Sequence, residues 1–171
     1  AEKGKAHSDN LISDAVKKGR AKLDEKERLL SLITPTADYA DLDGCDLVVE
    51  AVFEDSEVKK GATENAEAVL KPTAVFASNT STIPISSLAL NSKRPKNFVG
   101  IHFFSPVDRM MLVEIIMGKK TGDKALATAI DYVRAIKKTP IVVNDTRGFY
   151  VNRCVLRYMA EAFQMLIEGV P

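Results

Sequence analysis

With 24 lysines and arginines against 23 acids in 171 residues, the chain has no net field able to hold a nucleic acid or an anionic membrane, so neither is expected as a partner. Its 46% apolar content suffices for one packed domain and the start of a second, and excludes wholesale disorder. Aromatic residues are only 6% and tryptophan is absent, which leaves little for stacking on bases.

In chain order, Glu2 to about Leu32 is rich in Lys, Glu, Ala and Leu. Leu11, Ile12, Ala15 and Val16, then Leu23, Leu29, Leu30 and Ile33, fall at helical spacing and predict two amphipathic helices broken near Gly19. "CDLVVEAVF" (45–53) is a near-continuous β-branched run, as expected of a strand covered on both faces of a parallel sheet. Asp55 or Ser56 can cap a helix through about Leu70, and "TAVFAS" (73–78) gives the next strand. "NFVGIHFF" (97–104) and "MLVEIIM" (111–117) are two further strands separated by the turn "SPVD". Residues 123–137 read as a helix, "TPIVV" (139–143) as a short strand, and 149–169 as one long helix. The apolar positions Val155, Met159, Ala162, Phe163 and Leu166 of that last helix recur at helical spacing.

Alternating strands and helices predict an open, doubly wound α/β sheet over 1–144, with 145–171 beginning a second, helical domain. No apolar stretch approaches the roughly 18 residues of a membrane span, and the first ten residues lack the layout of a signal peptide. Cys45 and Cys154, far apart and without a CxxC partner, read as packing residues of a reducing compartment. A soluble, intracellular protein is expected, cytoplasmic in a bacterium and mitochondrial or peroxisomal in a eukaryote, and the "NTS" sequon at Asn79 is discounted without an export signal.

In such a sheet, ligands bind beyond the carboxyl ends of the parallel strands, where "SNTS" (78–81) stands. Asn79 and Ser81 could present an amide and a hydroxyl to one ligand, or serve as a turn capping the helix that begins near Pro84. "FVGIHFF" places Phe98, Gly100, His102 and Phe104 on one face and Val99, Ile101 and Phe103 on the other. Glu114 stands in an equally apolar run, and a carboxylate is costly there without a partner. If the two strands are neighbours, a His102–Glu114 pair satisfies both groups, either as a base held ready for a proton or as a purely structural pair. Asn152, in the first turn of the last helix, is a fourth candidate, with Asp145, Thr146 and Gly148 forming the cap and turn that aim that helix. His7 and His102 are the two histidines, with no cysteine cluster near them, so no metal site is expected. GxxxxGK[ST], GxSxG and HExxH are absent.

The stretches "DLVVEAVFED", "FASNTS", "GIHFFSPV", "LVEII" and "DTRGFYVNR" together resemble the L-3-hydroxyacyl-CoA dehydrogenases of fatty-acid β-oxidation, with looser similarity over nearly the whole chain. "ITPTADYADL", "SKRP" and "HFFSPVDRMMLVEII" are most similar to the dehydrogenase part of the multifunctional β-oxidation enzymes, which also carry an enoyl-CoA hydratase region. The resemblance implies a partial Rossmann-like sheet followed by the first long helix of an all-α C-terminal domain. It implies NAD as cofactor and a 3-hydroxyacyl-CoA as substrate, His102 as the base and Glu114 as the group that orients it. Ser81 and Asn152 would bind substrate near the reacting carbon, Glu54 and Lys59 would line the cofactor pocket, and Asn79 would lie beside the nicotinamide. A homo-oligomer, or hydratase and thiolase partners, would belong to the parent enzyme.

Two positions depart from the family pattern: Ser105 where single-function members often have Asn, and Arg147 where Pro is usual. None of the nine glycines forms the GxGxxG turn that receives a pyrophosphate. The chain is therefore expected to be a middle piece of a longer enzyme that binds NAD poorly and turns over little or nothing alone. A module that binds an acyl-CoA or nucleotide without chemistry, and an NADP-linked hydroxyacid dehydrogenase, remain as alternatives at this stage.

Overall fold

The computed structural model describes residues 1–170, in which the main chain forms two compact units, one over 1–41 and one from Leu42 onward. In the first, α1 (Glu2–Lys17) and α2 (Leu23–Ser31) form the expected helical pair. Gly19, at φ +68, ends α1, with Arg20 N–H donating to Ala15 O at 2.8 Å and Gly19 N–H to Val16 O at 2.9 Å. That left-handed closure is open to glycine at no steric cost. Lys26 Nζ ties the two helices together, 2.7 Å from both Asp9 and Ser13 of α1.

The second unit holds five strands in the order β1 (Leu47–Glu50), β2 (Val75–Ser78), β3 (Phe98–Phe103), β4 (Leu112–Met117) and β5 (Thr139–Asn144). All neighbours are parallel except β3 and β4, which are antiparallel. Between them come α3 (Ser56–Val69), the single turn α4 (Ile85–Leu88) and α5 (Asp123–Ala135), and α6 (Val151–Ile167) follows β5. Asp55 caps α3 as expected, accepting Glu57 N–H at 2.9 Å and Val58 N–H at 3.0 Å. Side chains alternate across the sheet as the period of two requires. Phe76, Phe98 and Ile116 pack on one face with Ala66 of α3, with Leu70 just beyond its end, and with Ile85 and Leu88 of α4. Val75, Val99, Ile101, Val113 and Ile115 pack on the other with Ala125, Ala129 and Val133 of α5. Helices on both faces of a mostly parallel sheet make this the Rossmann-like α/β class that the sequence predicts.

Three expectations are corrected. β1 ends at Glu50 rather than Phe53, because Glu50 Oε2 accepts the N–H of Val52 at 3.1 Å and turns the chain outward; Phe53 is 86% exposed. Leu47, Val48 and Val49 are half-buried rather than covered on both sides, since β1 is an edge of the sheet. Of the two cysteines, Cys45 packs against the core and Cys154 is exposed on α6.

Candidate active site

The hairpin of β3 and β4 sets His102 directly opposite Glu114. Residues opposed across an antiparallel ladder share a face, so the two side chains meet, with Nδ1 of His102 2.8 Å from Oε2 of Glu114. The other oxygen of Glu114 accepts the N–H of Tyr150 at 3.0 Å and of Val151 at 2.8 Å, the first amides of α6. Burial by itself pushes the Glu114 carboxyl upward, but the hydrogen bonds from His102, Val151 and Tyr150 outweigh it and hold the group below the ordinary carboxylate value. Glu114 is thus an ionised, acceptor-only partner, and Nδ1 of the imidazole must carry the hydrogen. That leaves Nε2 as the nitrogen able to take a proton. Nε2 has no protein partner among the described residues, and since no fully sealed side-chain nitrogen or oxygen there lacks one, it keeps a narrow contact with solvent although His102 is only 4% exposed. Phe104 and Phe149 flank the ring, with centroids 4.5 and 5.7 Å away.

The carboxyl ends of β1, β2 and β3 lie along the same rim. Asn79 follows β2, donates its N–H to Glu50 O and accepts the N–H of Phe103 on its side-chain oxygen, both at 2.9 Å. Thr80, fully buried, turns the loop by accepting the N–H of Ile83 at 3.0 Å. Ser81 donates its N–H to Glu54 Oε1 at 3.0 Å, and its carbonyl accepts the side-chain amide of Asn152 at 2.9 Å. Glu54 also receives Thr80 Oγ1 at 2.6 Å and Thr82 N–H at 3.1 Å. Burial pushes the Glu54 carboxyl up, but these bonds and the nearby Lys59 charge hold it below its ordinary value. Lys59 is 2% exposed, with Nζ 3.1 Å from Glu50 Oε1, 3.2 Å from Glu50 Oε2 and 3.3 Å from Glu54 Oε2. Glu50 also accepts the hydroxyl of Ser78.

All seven sequence-predicted site residues therefore meet at one rim. Of their side chains, Asn79 spends its oxygen and Asn152 its amide nitrogen on the protein while Ser81 spends only main-chain groups, leaving the Asn79 side-chain NH2, the Ser81 hydroxyl and the Asn152 side-chain oxygen without a protein partner among the described residues. Lys59 and Glu54, by contrast, are engaged with each other and with the loop. Sequence reasoning missed Glu50, although a carboxylate ending the run "DLVVE" carries the same signal that marked Glu114. It missed Phe149, for which the signal would have been the doubtful fit of a phenylalanine next to a turn glycine.

The predicted cap of α6 is corrected. Asp145 reaches instead to α4, accepting Ile85 N–H at 2.8 Å and Ser86 N–H at 2.7 Å, while Glu114 takes the first amides of α6. The same contact settles the loop: Asn79 and Ser81 do not cap α4, because Asp145 does.

Residues 1–146 match the family model described as 3-hydroxyacyl-CoA dehydrogenase, NAD binding domain. Over 159 residues the chain is 43% identical to the fatty acid oxidation complex subunit alpha of Shewanella amazonensis, a match covering 93% of this chain and 22% of that subunit. The crystal structure of (S)-3-hydroxybutyryl-CoA dehydrogenase from Ralstonia eutropha superposes with a TM-score of 0.95 at 34% identity, covering 99% of this chain and 60% of that one. The dehydrogenase part of multifunctional enzyme 1 from C. elegans gives a TM-score of 0.73 at 33% identity, over 91% of this chain and 36% of that one. The chain thus spans less than two thirds of each of these relatives. An α/β sheet of this topology, with that likeness over 1–146, carries the conclusion that the chain belongs to the 3-hydroxyacyl-CoA dehydrogenase family, in its NAD-binding domain.

Proposed function

We propose that this chain supplies the catalytic base and the surrounding rim for NAD-dependent oxidation of an L-3-hydroxyacyl-CoA to a 3-oxoacyl-CoA in fatty-acid oxidation. The observation that carries it is the His102–Glu114 pair, 2.8 Å apart in an apolar sheet, with Nε2 left without a protein partner among the described residues. NAD, when bound, supplies the hydride acceptor. Its nicotinamide end fits the donor set here, since the free amide of Asn79 at the end of β2 suits a carboxamide and the imidazole lies one strand away. Glu54 and Lys59 form the wall of that pocket as a paired unit.

His102 Nε2 accepts the proton of the 3-hydroxyl as the carbon is oxidised. Glu114 fixes the tautomer that leaves Nε2 free and stabilises the imidazolium that forms. The Ser81 hydroxyl and the Asn152 side-chain oxygen hold the substrate near the reacting carbon. In this reading 1–144 are the dinucleotide-binding domain and 145–171 open a helical substrate and dimerisation domain. The activity is that of the enzyme these residues serve, in the cytoplasm of a bacterium, as a homo-oligomer or with hydratase and thiolase partners. No GxGxxG turn occurs among the nine glycines, so NAD binding by this chain alone is expected to be weak and turnover negligible.

The test is His102→Gln in the enzyme that carries these residues, assayed by acetoacetyl-CoA reduction. Loss of turnover by roughly 10²–10⁴-fold with binding largely kept is expected. Unchanged turnover would remove His102 from the chemistry, and a ligand-binding module would then describe the site better.

A further inference from the structure

Phe149 has φ +53, directly after Gly148 at φ +74. The left-handed region costs a residue with a Cβ roughly 1–2 kcal/mol, a cost glycine would not bear. Three contacts hold the conformation. Phe149 donates its N–H to Thr146 O at 3.0 Å, the next two amides are taken by Glu114, and the ring, 2% exposed, packs with Phe76, Phe98 and Ile116. Closing α6 does not require a ring at this position, because Glu114 already satisfies the first amides of that helix. What the strained turn delivers is an aromatic side chain against the imidazole, 5.7 Å between centroids at an interplanar angle of 58°, with Phe104 also against it at 4.5 Å and 54°. Backbone strain that persists beside a chemical group is a pointer to a role for that group's surroundings.

We infer that Phe149 is a positioning residue for His102: its ring closes one side of the imidazole, keeps water off the bond between Nδ1–H and Glu114, and so leaves Nε2 as the nitrogen that meets a reactant. A water admitted there would compete for both partners of that bond and let the imidazole turn about its side-chain axis. The role rests on the reading of His102 as the base, but it concerns the geometry of the ring and can be observed with no substrate present.

The experiment is proton NMR on this chain, following the Nδ1–H signal of His102, which a bond to a carboxylate moves far downfield, and its exchange with water. Phe149→Gly removes the ring while relieving the left-handed strain, and Phe149→Leu keeps apolar bulk over the imidazole. Exchange at least about tenfold faster in Phe149→Gly, or a signal broadened away, is expected, with Phe149→Leu within about threefold of the unaltered chain. Unchanged exchange in Phe149→Gly overturns the proposal. So does equal loss in both variants, which would show that apolar bulk over the imidazole does not protect the bond. If Phe149→Gly does not fold, the unaltered chain decides: nuclear Overhauser contacts between the Phe149 ring and the His102 ring protons are required, and their absence overturns it. Failure here leaves the His102→Gln test of the base untouched, and failure there leaves this geometry standing.

Discussion

Glu114 holds the imidazole of His102 with one carboxylate oxygen and, with the other, the main-chain N–H of Val151 at 2.8 Å, 37 residues along the chain. One acid thereby does two things that the sequence presents as separate: it fixes the imidazole of His102, and it caps the helix that follows the sheet.

The first prediction concerns that acid. Because the folded-state pKa of Glu114 lies below the ordinary value of 4.5, its ionised form contributes stability that is fully present above that value and is lost as pH falls through the lower folded one. Thermal melts of the unaltered chain should fall on acidification through that window. Glu114→Gln should melt lower at neutral pH and show a shallower acid dependence. Parallel pH profiles for the two proteins would contradict the role given to the carboxylate.

Lys59, among the described residues, is the cation paired with both the buried Glu50 and the exposed Glu54. A neutral replacement strands the buried Glu50 carboxylate, and Lys59→Met is expected to cost about 3–5 kcal/mol in urea denaturation. Adding Glu50→Gln should recover part of that loss, since one uncompensated charge is removed. A loss below about 1 kcal/mol in the single variant would show that the cluster does not depend on its cation.

Gly100 lies two residues before His102 on the same face of β3. A Cβ there would come 2.8 Å from Ile116 Cβ and from the Ile85 side chain. Gly100→Ala is expected to lower stability by about 1–3 kcal/mol, because the Ile116 Cβ is fixed to the strand and cannot swing away. An unfolding midpoint equal to that of the unaltered chain would mean that β3 and β4 yield more than their packing implies.

Asp145 joins the end of β5 to the start of α4, 60 residues earlier. Asp145→Ala should cost about 1–2 kcal/mol and quicken amide exchange at Ile85 and Ser86. Protection at those two amides unaffected by the substitution would assign their hydrogen bonds elsewhere.

How much of this was legible depended on whether the signal lay in one segment. His102 and Glu114 stood out because each is a polar residue in an apolar run, and pairing follows once a short turn joins the two strands. The face assignment of Phe98 and Gly100 against Val99 and Ile101 needed only the period of two, and the two core clusters reproduce it. Asp145 misled because aspartate beside a helix start is a strong local signal, while its true partners are brought to it only by sheet formation. Phe53 misled for the opposite reason: its apolar neighbours continue the β pattern, and nothing local shows that Glu50 will bend the chain at Val52. Cys154 and the apolar positions of α6 share a pattern that fits packing, yet that helix buries none of its residues here.

The rim is stitched at two very different ranges. His102 and Glu114 are 12 residues apart, whereas Asn152 and Ser81 are 71 apart. Closing the wider loop costs on the order of 1.6 kcal/mol more in chain entropy. Fraying of α6 would therefore part Asn152 from Ser81 first, while the hairpin kept its acid and imidazole within reach of each other.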